Sequence, residues 1–207
     1  MTANPIRAAA AIAGLLMLVA GTAGAAEYVR DPAKVHPGAY TVEPEHTEVL
    51  FAISHFGFST YYGRFAQASG TLTFDPANPA NSGLDITVPA ATVSTASDTL
   101  NGILKSVGWL DVAQFPAITF KSTKLTVTGM DRGIVVGDLT LHGVTRPVTL
   151  EVTFDGAGVD PASSKYTIGF DATGVLKRTD FGISTFAPFI GDEVRLILSG
   201  AFVKSPA

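Results

Sequence analysis

His55 ends the run Val49, Phe51, Ile53, His55, so an imidazole shares one face of an alternating segment with three hydrophobic side chains. Two chemistries suit it. It is a neutral ring bonded to a neighbour, or it is the hydrogen-bond partner of a quinone or hydroxyl head on an apolar ligand. Arg178 has the parity of Tyr166, Ile168 and Phe170, and points inward if no bulge intervenes. An inward guanidinium needs a carboxylate, for which Asp180 and Asp138 are candidates, or a ligand contact. No hydrolase elbow G-x-S-x-G and no H-E-x-x-H is present, and His36, His46, His55 and His142 lack metal-ligand spacing. There is no cysteine, hence no thiol nucleophile, no disulfide and no thiolate metal site. Carboxylates are not paired along strand faces, as glycosidase chemistry would require. Two alternatives stay open. His and Asp side chains brought together at the mouth of a barrel would make an exported or metal-dependent enzyme. An outer surface that binds a protein partner would make an envelope-stress protein.

The elements that must position these residues are strands. Period-2 alternation marks about eight, near residues 47–58, 61–75, 83–90, 117–128, 133–142, 146–155, 164–177 and 193–204. The clearest is Val148, Leu150, Val152, Phe154 against Thr149, Glu151, Thr153, Asp155. The phase slips in 117–128 and in 133–142, which predicts a β-bulge in each. Turn chemistry separates the runs at Asp75–Gly83, Gly129–Gly133, His142-Gly143 and Asp155–Pro161. Asp180-Phe181-Gly182 reads as a turn between a strand and a crossing loop. Ser94–Gln114 breaks the alternation; Leu100, Ile103, Leu104 and Val107 form a helical stripe with Ser97 or Asp98 as N-cap. The expected fold is all-β, an antiparallel eight-stranded barrel with one short helical segment between its third and fourth strands, a two-layer sandwich being the competing architecture. Phe51, Phe65, Phe120, Phe170 and Trp109 then either line a tunnel or pack a core. Trp109, Leu110, Phe115, Phe186, Phe189 and Ile190 lie in loops able to cap an open end.

Residues 1–26 read as a secretory signal peptide: Arg7, the apolar run Ala8–Ala20, then small residues with Ala23 and Ala25 at the exit. Residues 27–39 are an N-terminal extension and 40–207 a single domain. Removing the leader takes Arg7 alone among the charged residues and leaves 13 basic against 18 acidic ones, which is no footprint for nucleic acid. The expected location is the periplasm or the exterior. All 13 phenylalanines fall after the leader.

Four segments in order carry a resemblance. Phe115-Pro116-Ala117-Ile118-Thr119-Phe120-Lys121-Ser122-Thr123 resembles the FPxITFxST signature of the YceI-like family of exported polyisoprenoid-binding proteins. Val42–Phe65 resembles that family's opening strands, Gly137–Val148 its GDLTxxGVTxPV hairpin, and Lys177–Ile183 its xRxDFGI stretch. The resemblance implies a lipocalin-like barrel enclosing an isoprenoid or quinone-type lipid, with no cofactor required and no enzymatic activity. It implies transient contact with a membrane and is compatible with a homodimer. The residues expected on the ligand are Phe51, His55, Phe65, Trp109, Phe115, Phe120, Phe170, Arg178, Phe181 and Phe186. A barrel of this kind stands about 25 Å tall, since strands of about 10 residues tilt near 40°. An extended tail of about 40 carbons, at about 0.8 kcal/mol of burial per carbon, is longer than that and is expected to bend or protrude.

Overall fold

The alternating runs become strands, and their pairing closes the sheet. A computed structural model describes residues 28–206; the expected signal peptide lies outside the described residues. In chain order the strands are β1 Gly38–Val42, β2 Glu48–His55, β3 Ser59–Phe65, β4 Ser69–Phe74 and β5 Gly83–Pro89. After helix α1, Asp98–Lys105, come β6 Ala117–Val127, β7 Arg132–Leu141, β8 Val144–Val159, β9 Tyr166–Lys177 and β10 Ile190–Lys204. All pairs are antiparallel, in the order β1-β4-β5-β6-β7-β8-β9-β10, and β1 returns to β10 to close the ring. β2 and β3 complete the wall as a hairpin on β10.

The ring is an eight-stranded barrel in which two strands are each broken in half. β1 and β2 both lie along β10, β1 opposite residues 202–204 and β2 opposite residues 190–199. β3 and β4 likewise run in line, β3 beside β2 and β4 beside β1. The break after β1 is made by Pro44, which has no amide to donate, and by Glu43, whose carboxylate accepts the amides of Glu45 and His46. The Thr47 hydroxyl stands in for the missing ladder: it donates to the Glu43 carbonyl at 2.7 Å and accepts the Ala201 amide at 3.2 Å.

Three expectations change. β1 forms within residues read as the end of the extension and the start of the domain. The stretch Asp155–Pro161 is strand as far as Val159, because a register shift at Phe154/Gly156 absorbs Asp155 and lets β8 continue along β9. Val29 pairs with Ala157 on its free side, at 2.7 and 2.9 Å. The bulge expected in 117–128 is present between Ser122 and Lys124, but β7 has none. The apparent slip there arises because Gly137 takes an inward position while Ile134 and Val136 face out. The helix stands where the stripe placed it, with the Leu100 amide donating to Ser97 Oγ at 3.3 Å.

One end of the barrel is solid. Tyr40, Phe74, Phe154, Ile168 and Phe202 are buried there, and Phe170 lies among them with ring centroids 5.6 to 6.2 Å from those of Phe74, Phe154 and Phe202. Tyr40 donates its hydroxyl to the His36 carbonyl, and the His36 ring stacks on Tyr166 at 4.0 Å. Lys204 Nζ donates to the Pro37 carbonyl at 2.7 Å and sits 4.7 Å over the Tyr40 ring. Outward positions carry Thr71, Thr73, Asp85, Thr87, Glu151, Thr153 and Arg195. The polar face of the wall is therefore outside and the apolar face inside. Among the described residues no helix is long and apolar enough to cross a membrane.

Candidate functional site

Above the aromatic plug the barrel is hollow. The cavity measures ≈ 300 Å³ and reaches from Leu84, Ile86 and Phe65 up to a mouth roofed by α1 and the loop before β10. Of its 27 lining residues, 23 present only hydrocarbon, and the exceptions are His55, Tyr61, Trp109 and Arg178. Such a lining suits an apolar ligand, whose burial excludes water from apolar surface, and the four polar side chains lie near one end.

Each element contributes by its parity. β2 turns Val49, Phe51, Ile53 and His55 inward, and β10 turns Val194, Leu196 and Leu198. From α1, Leu100 and Leu104 face the cavity, while Ile103 and Val107 of the same stripe point to solvent. The Trp109 ring follows Gly108, which adopts φ +88°, and stands 5.6 Å from the Arg178 guanidinium carbon.

Arg178 is 3% exposed. Its three nitrogens donate to main-chain carbonyls: Nε to Gly191 at 2.9 Å, one terminal nitrogen to Ile183 at 2.9 Å, the other to Ile190 at 2.8 Å. The expected ion pair with Asp180 or Asp138 is therefore replaced by a cage of carbonyl dipoles under Trp109. Burial pulls the guanidinium below the usual arginine value, and the Asp192 charge partly offsets this. Burial pushes the Asp192 carboxyl up, but the Thr179 amide at 3.0 Å and hydroxyl at 2.9 Å, with Arg178 and Lys177, hold it below the ordinary range.

His55 faces the mouth. Its ring packs edge-on against Phe56 at 4.5 Å, and among the described residues its nitrogens have no hydrogen-bond partner. The turn that follows places Phe56 at φ +54° and Gly57 at φ +72°, with the Phe58 amide donating to the His55 carbonyl. A large aromatic residue seldom adopts that conformation. Phe186 does so as well, at φ +56°, in the loop before β10. The Phe56 amide ties the two segments together by donating to Phe189. Phe56, Phe58, Phe186, Phe189 and Val107 all expose their side chains, Phe58 by 90%. The mouth is thus rimmed by apolar rings held in water.

Of the residues expected on the ligand, Phe51, His55, Phe65, Trp109, Phe120 and Arg178 line the cavity. Four do not. Phe170 belongs to the plug. Phe115 packs against the β7–β8 turn, beside Gly143 and edge-on to His142 at 4.6 Å. Phe181 is 1% exposed and packs with Leu139, Val148, Leu150 and Leu176 in the wall. Phe186 stands outside on the rim. Sequence reasoning missed Tyr61, although its parity with Phe65 marks the same face. Among the described residues no three His, Asp or Glu side chains gather into a metal-holding group. His46 is engaged with Glu43, and His142 with the Phe181 carbonyl.

A family model described as the YceI-like domain matches residues 40–202. The protein named Protein YceI from Escherichia coli O17:K52:H18 is 41% identical over 184 residues, covering 89% of this chain and 90% of that protein. The Campylobacter jejuni YCEI protein superposes with a TM-score of 0.66 at 27% identity, over 74% of this chain and 90% of that one. A polyisoprenoid binding domain from Saccharophagus degradans, implicated in plant cell wall breakdown, superposes at 0.61 and 17% identity, over 81% and 99%. The matched region takes in the whole cavity lining and all four sequence segments, and the chain belongs to the YceI-like family.

Proposed function

We propose that this protein binds one isoprenoid or quinone-type lipid in its cavity and carries it through the periplasm, after residues 1–26 are removed as a signal peptide. It acts as a binding protein and not as an enzyme, and needs no cofactor. One observation carries the reading: a hollow barrel whose lining is hydrocarbon except for four polar groups near the open end. The Saccharophagus degradans domain, of the same fold, is a polyisoprenoid binding domain, and the extension of that chemistry to this chain is our inference. The tail lies in the lumen, and the head group meets His55, Tyr61, Trp109 and Arg178 at the mouth.

Magnitudes favour a carrier over a sensor of dissolved lipid. Taking a whole chain of about 40 carbons out of water, part of it in the ≈ 300 Å³ cavity and the rest beyond the mouth, gives on the order of 30 kcal/mol gross at about 0.8 kcal/mol per carbon. This exceeds the ceiling of about 18–21 kcal/mol for non-covalent affinity. Such a lipid resides in a membrane or in a protein and never free in water. The exposed rings of Phe56, Phe58, Phe186 and Phe189 supply a surface that touches the membrane during exchange.

Native mass spectrometry of the protein isolated from its own exported compartment, followed by organic extraction, tests the proposal. The expected result is a stoichiometric prenyl lipid. Recovery of polar metabolites or a metal alone would sink it.

A further inference from the structure

Three glycines face the lumen, Gly63, Gly137 and Gly174, and all lie outside the left-handed region. What they share is an occupied neighbourhood. Gly63 stands opposite Phe51, and a methyl there would sit 2.6 Å from Phe51 Cε1 and closer still to Cζ. A methyl at Gly174 would meet Leu150 Cδ2 at 2.7 Å and the Thr149 carbonyl oxygen at 2.9 Å, and one at Gly137 would meet Phe120 Cε2 and the Lys121 carbonyl oxygen, each at 2.7 Å, so only at Gly63 is a side chain the sole obstacle. In each case a lining side chain from the adjacent strand lies flat over the glycine, in the space a Cβ would fill. One cross-strand row shows the pattern at full length: Gly63, Phe51, Leu196, Gly174, Leu150. Each glycine in the row has a large neighbour that folds over it, Phe51 over Gly63 and Leu150 over Gly174, which draws those side chains toward the wall and away from the axis.

We propose that Gly63, Gly137 and Gly174 set the bore of the cavity, and that this bore selects a methyl-branched polyprenyl chain over a straight acyl chain. The inference rests on the lipid-binding reading above and names the chain class that the site takes. An unbranched chain threads a narrow tube. An isoprenoid chain carries a methyl on every unit and needs extra width at regular intervals. With alanine at Gly63, the Phe51 ring must leave the wall, and it borders the open lumen, into which it would move. Overfilling of this kind is resisted, because packed side chains have few strain-free alternatives.

Delipidated full-length mature protein is titrated with geranylgeraniol and with icosanol, a straight-chain alcohol with the same number of carbons. Gly63→Ala is expected to weaken geranylgeraniol about tenfold and leave icosanol within about twofold of wild type. Adding Phe51→Leu to Gly63→Ala should restore geranylgeraniol. Equal effects on both alcohols, no effect on either, or failure of the double variant to restore binding would each overturn the proposal. If Gly63→Ala alone does not fold, the double variant must fold and bind as wild type. Should it fail to fold, space beneath Phe51 is not why position 63 is glycine, and the proposal falls. Wild-type protein that takes up neither alcohol would instead remove the lipid-binding reading itself.

Discussion

Tyr40 has no exposed surface, and burial, with a smaller contribution from Tyr166, pushes its phenol up to about 12. In an unfolded chain the same group ionises near 10. The folded form thus holds the proton more tightly, and its stabilising effect is complete below about pH 10 and lost as pH rises from about 10 to about 12. The folded state should lose up to about 1.4 kcal/mol per pH unit from this group across that window. Tyr40→Phe should flatten the slope there while costing about 1 kcal/mol at neutral pH, the worth of the hydroxyl's bond to His36. Urea melts of both proteins at several alkaline pH values check this; identical slopes would show that Tyr40 does not contribute. Single residues also show where sequence reasoning stops. Parity on strands placed Phe51, His55, Phe65 and Phe120 on the lumen side, because side-chain alternation is a property of one strand alone. Phe170 has equally clear parity but sits in the plug. Alternation reports which face a residue takes, and height along the barrel axis depends on registers among strands distant in sequence. The inward direction of Arg178 was legible for the same reason. Its partners were not, since the three carbonyls it caps belong to residues of no distinctive type.

At the level of elements, the loop between Gly182 and Gly191 depends on neighbours for its shape. Arg178 holds it from below through the carbonyls of Ile183, Ile190 and Gly191, Thr185 Oγ1 donates to Gly108 at 2.6 Å, and Phe56 reaches it from the β2–β3 turn. A lysine ammonium cannot reproduce the planar fork that serves three carbonyls at once. Arg178→Lys is expected to cost about 2 kcal/mol and to lower the melting temperature by about 4–8 °C. Amide exchange should quicken across residues 183–191 and stay unchanged in the plug, and uniform protection would refute the stapling role. Element types were mostly legible, since the eight alternating runs correspond to the eight strands of the wall. The interruption at Glu43–Thr47 was hidden because the Thr47 hydroxyl replaces main-chain bonding, a substitution that only pairing with β10 reveals. The extension of β8 past Asp155 was hidden too. Gly156 and Asp155 carry turn chemistry, yet a bulge uses the same residues to continue a strand.

The whole molecule is a closed wall, polar outside, with an apolar rim at the end where the cavity opens. If the rim serves exchange with membranes, Phe58→Glu combined with Phe189→Glu should weaken binding to neutral phosphatidylcholine vesicles at least about tenfold. Each large side chain withheld from the interface forfeits about 1.5–3 kcal/mol. Both positions lie outside the cavity lining, so lipid already loaded should remain bound. Vesicle flotation and native mass spectrometry separate the two effects, and unchanged flotation would exclude the rim as the contact surface. The plug has a consequence of its own. With Tyr40, Phe154, Ile168 and Phe202 blocking the far end, the vessel has a single doorway, and a lipid carried as proposed above would enter tail first and leave head first past the same threshold. It cannot bridge two bilayers as a conduit with lipid flowing through it. On the proposed carrier reading, each delivery would demand release from one surface before engagement with the next, and throughput would rise with the number of free shuttles rather than with the time any one of them stays attached.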